Sequence, residues 1–235
     1  MRSAIESSFK PLAKTVYLAA RRHALSGLRP LVSHDASAPA PGSPQNILWI
    51  RMDRIGDMVL STPAFKAIKA AFPRTRLTVM ASQANKTLLK NNPHVDEVIV
   101  YDRSAPLTQR IRFLKGLQAR RFDWAVDPYD DYELETAWIA WMSGAAYRVG
   151  YAAFGREVFL DAWMPGPGPN RHFVDVNLDL LTLVGAPVVD RHPSLYLDQA
   201  EQAGAGQWLH EQGLQDKMLE AIHQDRDLHT LPSRA

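Results

Sequence analysis

The chain has no cysteine among its 235 residues. That excludes disulfides, thiol nucleophiles and thiolate metal sites, and it fits a reducing compartment. No run of about 18 apolar residues occurs, so no membrane-spanning helix is expected. The N-terminus shows neither the apolar h-region nor the small-residue cleavage site of a secretory signal, and the expected location is the cytoplasm. Neither sign of charge is in excess: 27 Lys and Arg stand against 25 Asp and Glu, a net charge of +2. Nothing global therefore calls for a nucleic-acid partner. Three chemical fingerprints are also missing. There is no Gly-x-Gly-x-x-Gly after the first apolar strand, no Gly-x-x-x-x-Gly-Lys phosphate loop and no Gly-x-Ser-x-Gly elbow. The eight histidines show no zinc-type spacing, so no metal is expected.

What is present is an ordinary globular composition, 46% hydrophobic and 22% charged, in a chain long enough for one large domain or one and a half. Residues 1–25 read as an amphipathic helix. Ile5, Phe9, Leu12, Val16 and Ala20 recur at helical spacing, with Lys10, Lys14 and Arg21 on the opposite face. That pattern suits either a basic helix on an anionic membrane or a helix packed on the main domain with solvated lysines. Residues 26–45, with Pro30, Pro39, Pro41 and Pro44, read as a linker.

From Asn46 the chain alternates β and α. Strands are expected at Ile47–Met52, Arg76–Ala81, Val98–Tyr101, Trp124–Asp127 and Ala146–Gly150. Helices are expected at Met58–Phe72 with a kink at Pro63, at Ala84–Asn91, Leu107–Arg120, Glu133–Met142 and His172–Val184. Trp163–Asn170 reads as a loop, Ser194–Leu197 as a short strand, and Asp198 as the cap of a last helix reaching Glu211. Lys217–His223 would be one more strand, after which the sequence is polar and patternless. The alternation predicts an α/β fold, a Rossmann-like parallel sheet with helices on both faces, over residues 46–197.

The candidate site lies in Arg51-Met-Asp-Arg-Ile-Gly-Asp57. A turn there follows the first strand, at the sheet edge where open α/β folds hold ligands. Asp57 could accept a proton from an attacking hydroxyl, or could simply cap the next helix. Gly56 would allow a tight turn and close approach of a substrate. Arg51 or Arg54 could hold an anionic group, or one of them could pair with Asp53. Ser61 and Thr62 could help bind an anion or bond the local backbone. Asp127, Asp130 and Asp131 surround Pro128-Tyr129 at the end of another strand and read as a solvated turn more than a metal site. His172 reads as a capping or packing residue.

Arg51–Asp57, Thr62-Pro-Ala64, Phe72-Pro73, Asn92-Pro-His-Val-Asp-Glu-Val98, Tyr147-Arg-Val-Gly150 and Asn177-Leu-Asp-Leu-Leu181 with Gly185 together resemble glycosyltransferase family 9, the lipopolysaccharide heptosyltransferase family. The resemblance runs from about Gln45 to Gln212. It implies the N-terminal half of a GT-B fold, with Asp57 as catalytic base and Arg51, Arg54, Gly56, Ser61 and Thr62 as acceptor-binding residues. It implies metal-independent transfer with no cofactor, using a nucleotide sugar such as ADP-heptose as co-substrate. The implied acceptor is the lipopolysaccharide core, met at the cytoplasmic face of the inner membrane, where the basic Leu107–Arg120 face would suit an anionic target. The family's second domain is expected to be largely absent: residues 198–235 would supply a connecting helix and a truncated start. The alternative function is a non-catalytic module binding an anionic glycolipid or a protein.

Overall fold

The computed structural model describes residues 16–27, 42–168, 170–188 and 190–213. The expected linker up to residue 41 and the expected strand Lys217–His223 lie outside these residues. The described residues fall in two compact units, one ending at Leu195 and the other beginning at Tyr196. Within the first unit, residues 16–26 form α1. There follow β1 (Asn46–Ile50), α2 (Ile55–Val59), α3 (Thr62–Ala71), β2 (Arg76–Ala81), β3 (Glu97–Val100), α4 (Leu107–Gln118), β4 (Trp124–Asp127), α5 (Glu135–Met142), β5 (Tyr147–Ala152), β6 (Ala162–Pro165) and α6 (Phe173–Thr182). The second unit holds α7 (Gln199–Glu211), which starts at the expected Asp198 with a complete capping box: Asp198 accepts from the Glu201 N–H and Glu201 from the Asp198 N–H.

All strand pairings are parallel, and the order across the sheet is β3-β2-β1-β4-β5-β6. This is the doubly wound order, whose direction of growth reverses between β1 and β4. Strand β1 lies at the centre and is buried on both faces, which is why Ile47-Leu-Trp-Ile50 is an unbroken apolar run. Ile47 and Trp49 point to one face, where they meet Phe65 and Ile68 of α3 and Leu178 and Leu181 of α6. Leu48 and Ile50 point to the other, where Leu114 and Leu117 of α4 and Ile139 of α5 cover them. The expected sheet with helices on both faces is thus observed.

Several local expectations change. The helix expected from Met58 to Phe72 is two helices, not one kinked helix. Pro63 has no N–H to give the Val59 carbonyl. The Thr62 hydroxyl supplies that bond instead, at 2.7 Å, and the chain re-enters a helix with Pro63 in its first turn. Ala84–Asn91 is only a short 3₁₀ turn at Lys86–Leu89, because Asn85 is used in bonding back to the end of β1. The start of the expected loop Trp163–Asn170 belongs to β6; Pro165 is tolerated because this is an edge strand. Ser194–Leu197 forms no strand, and the Ser194 N–H bonds the Thr62 hydroxyl.

In α1, Val16 and Ala20 are exposed. The packed face instead runs Leu18, Arg21, Leu25. Arg21 donates to the carbonyls of Phe154 and Tyr132, so it is held by the domain and is not part of a free basic face. The described part of this helix follows the packed alternative. Among the described residues no helix is long and apolar enough to cross a membrane.

Candidate acceptor cleft at the sheet switch point

The end of β1 feeds a buried polar network. Arg51 is almost fully enclosed and donates from Nε to Ser61 Oγ at 3.1 Å, from Nη1 to Asp53 Oδ2 at 3.0 Å and from Nη2 to Asn177 Oδ1 at 2.6 Å. Its guanidinium also lies 5.2 Å from the Tyr129 ring centre, in cation–π range. Asn177 returns bonds from Nδ2 to the carbonyls of Leu60 and Phe173, and the Ser61 hydroxyl donates to the Asp57 carbonyl at 2.8 Å. The Tyr129 hydroxyl accepts from the Met52 N–H at 2.9 Å, and burial pushes its pKa up. Asn85 holds the carbonyls of Arg51 and Asp53 from the other side. The turn after β1 is therefore fixed by side chains from four separate parts of the chain.

These facts settle where the expected site residues sit. Arg51 takes the alternative role, as partner of Asp53, Ser61 and Asn177; each of its three nitrogens donates within the protein. Ser61 and Thr62 are buried and bonded to local groups, and neither lines the cleft described below. For these three residues the observed bonds follow the local-partner alternatives, and Arg51 alone of them also lines the cleft. Arg54 is exposed, and its guanidinium has no partner among the described residues. Gly56 is exposed inside α2, where its backbone needs no glycine: a Cβ there meets nothing within 4 Å. The tight-turn reason for Gly56 falls away, and only room for a ligand is left. Gly56→Ala is expected to raise thermal stability slightly, by up to about 0.5–1 kcal/mol, since alanine favours helix. If substrate passes over this residue, the same variant weakens acceptor binding, which calorimetry would separate from the stability gain.

Asp57 is the third residue of α2 and does not cap it; Arg54 occupies the cap position without a side-chain bond. The Asp57 carboxylate accepts no hydrogen bond among the described residues. It lines a cleft of about 370 Å³ together with Asp53, Arg54, Tyr129, Asp130 and Phe173. The cleft lies between the ends of β1 and β4, at the switch point of the sheet. Asp53 is largely buried there, with one oxygen unpartnered. Burial raises its pKa, Arg51 pulls it down, and the neighbouring charge of Asp57 raises it again.

Of the acidic residues around Tyr129, Asp130 and Asp131 line the cleft, but Asp127 does not. Asp127 is fully buried against Arg156, which also donates to the Tyr129 carbonyl and the Thr136 hydroxyl. Of the solvated turn expected here, Asp127 is instead half of a buried ion pair, while Asp130 and Asp131 are partly exposed. Among the described residues no cluster of three or more suitable side chains could hold a metal. His172 caps α6 as expected, its Nδ1 accepting from the Val174 N–H at 3.2 Å.

Sequence reasoning missed Asn177, Tyr129, Asn85 and Arg156. Asn177 alone left a signal, as a polar residue at a core position of an apolar helix. Asn177→Ala would strand a buried guanidinium donor and remove the bond that ties α6 to the Leu60 carbonyl. A loss of about 1–3 kcal/mol or more is expected in denaturant unfolding.

No family model matches the sequence. An inferred glycosyltransferase of Haemophilus influenzae is 30% identical over 108 residues, spanning 46% of this chain and 31% of that protein. A family 9 glycosyl transferase from Veillonella parvula superposes with a TM-score of 0.61 at 20% identity, over 78% of this chain and 53% of that one. The ADP-heptose lipopolysaccharide heptosyltransferase II of E. coli gives 0.55 at 19% identity, over 70% and 50%. An E. coli heptosyltransferase solved with ADP-2-deoxy-2-fluoro heptose gives 0.55 at 16%, over 63% and 51%. The chain spans about half the length of the solved structures and under a third of the curated relative. By fold this chain is similar to a family 9 glycosyl transferase and to heptosyltransferases across about half of their length, and by sequence to a glycosyltransferase over a shorter segment.

Proposed function

We propose that this chain forms the acceptor side of a sugar transferase, with Asp57 as the general base. The observation that carries the reading is the Asp57 carboxylate: it faces a cleft at the sheet switch point and accepts no hydrogen bond among the described residues. A hydroxyl attacking an anomeric carbon must lose its proton, and a positioned carboxylate can take it. The activities of the similar proteins suggest the finer form. A heptose would pass from an ADP-activated donor to the lipopolysaccharide inner core, with no metal or cofactor taking part. The acceptor would be met at the cytoplasmic face of the inner membrane. The donor would be held by a segment equivalent to the remaining length of the relatives.

The test is transfer of labelled heptose from ADP-heptose to a deacylated inner-core acceptor, together with acceptor binding measured separately. Acceptor binding without turnover by this chain alone fits the acceptor-side reading. Asp57-dependent product from this chain alone would keep the transferase and overturn the half-site division. Acceptor binding with no transfer even when the donor-binding half is supplied would favour a non-catalytic glycolipid-binding module.

A further inference from the structure

The wall of the cleft is unbalanced in a way the resemblance does not anticipate. Three arginines line it against five carboxylates. Two of those arginines are already committed. Arg51 is spent on Asp53, Ser61 and Asn177, and Arg103 bridges Glu133 and Glu135 at 3.0 and 3.1 Å. Arg54 remains, lining the cleft from an exposed position. On the acceptor side of the ledger, the carboxylates of Asp57 and Asp130 receive no hydrogen bond among the described residues, and Asp53 Oδ1 is buried without a partner. Five carboxylates thus face three guanidiniums, two of which are already paired with carboxylates, and the wall carries excess negative charge and unmet hydrogen-bond acceptors.

A ligand that fits must bring donors. A sugar hydroxyl is a donor as well as an acceptor, whereas a phosphate or carboxylate offers acceptors only. An anionic group placed among these carboxylates would be repelled and would leave Asp53 Oδ1 unsatisfied. Phe173 adds an exposed aromatic face on the same wall, suited to the C–H face of a pyranose ring.

We propose that the cleft seats an uncharged, hydroxyl-bearing ring of the acceptor, and that any phosphate or carboxylate on the acceptor stays outside the cavity, toward Arg54. This rests on the acceptor-side reading above and narrows it to the class of sugar that enters. Asp53 and Asp130 orient the ring through its hydroxyls, and Asp57 meets the hydroxyl that reacts.

The experiment is ligand-observed NMR titration of the full chain with a methyl heptoside and with the same heptoside carrying a phosphomonoester, at low ionic strength where charge effects are largest. The neutral glycoside is expected to bind at least about tenfold tighter than the phosphate ester. Asp130→Asn, which keeps shape and removes one charge, is expected to narrow the ratio of the two affinities, raising that of the phosphate ester relative to that of the neutral ring. Equal or tighter binding of the phosphate ester by the unaltered chain overturns the inference and leaves the acceptor-side reading standing. Failure of both glycosides to bind a sample that unfolds cooperatively overturns the inference and the acceptor-side reading together.

Discussion

Replacing Arg156 by methionine is expected to destabilise the first unit by about 3–5 kcal/mol, the range for breaking a buried ion pair from one side. Arg156 and Asp127 are both inaccessible to solvent. The guanidinium serves four groups at once: the Asp127 carboxylate, the Tyr129 carbonyl at 2.6 Å, the Thr136 hydroxyl at 2.8 Å and the Asp131 carbonyl at 3.3 Å. Methionine fills much of the volume but leaves the Asp127 charge without its counterion. Relaxation is restricted, because β5 presses against Asp127. A Cβ on Gly150 would stand 2.7 Å from the Asp127 carbonyl oxygen, so the two strands have no slack at this point. The double variant Asp127→Leu, Arg156→Met removes both charges and should be less destabilised than Arg156→Met alone, since an apolar pair of similar volume can replace a buried ion pair. Denaturant unfolding of the two variants measures this. A single variant within about 0.5 kcal/mol of the parent, the range of ordinary surface changes, would show that the pair contributes little. The consequence for the cleft is direct, because Arg156 holds the backbone of Tyr129, and Tyr129 holds the turn after β1.

That pair also marks where sequence reading stops. The alternation of strands and helices is legible because each central strand of a parallel sheet is buried on both faces and reads as an apolar run. Trp124–Asp127 and Arg76–Ala81 come out at their observed limits for this reason. Asp57 and Arg54 could be picked out because a turn following such a strand opens at the ligand edge of the sheet. The remainder of the site depends on which elements lie side by side. Asn177 meets Arg51 across 126 positions of chain, and no local pattern links them. The same limit explains Ser61 and Thr62. Their place in a helix start suggested anion binding, but the bonds they make follow from Pro63 and from Arg51, which is bonded to Ser61, Asp53 and Asn177. In α1 the spacing allowed more than one apolar face. The choice of Leu18 and Leu25 over Val16 and Ala20 is made by the surface the helix packs on, including Phe159 and the Phe154 carbonyl.

Asp57→Asn is the second large effect expected, a fall of about 10²–10⁴-fold in sugar transfer when the chain is assayed together with the donor-binding half. The size follows from the role: an amide keeps the shape of the carboxylate and can still bond a hydroxyl, but it cannot take the proton. Because the Asp57 side chain makes no bond within the described protein, the substitution has no internal contact to break. Stability should change by less than about 0.5 kcal/mol, as for a surface position. Acceptor affinity should also change little, so the loss appears in kcat and not in KM. Asp53 provides the internal control. It lies in the same wall, and Asp57 is one of the charges that raise its pKa. With Asp57 neutralised, Asp53 becomes easier to ionise, yet it remains tied to Arg51 at 3.0 Å and cannot move to replace the lost base. Residual transfer that falls further in the double variant Asp53→Asn, Asp57→Asn would mean that the two carboxylates share the proton. Transfer unaffected by Asp57→Asn alone would remove the base from this turn and leave the cleft as a binding surface.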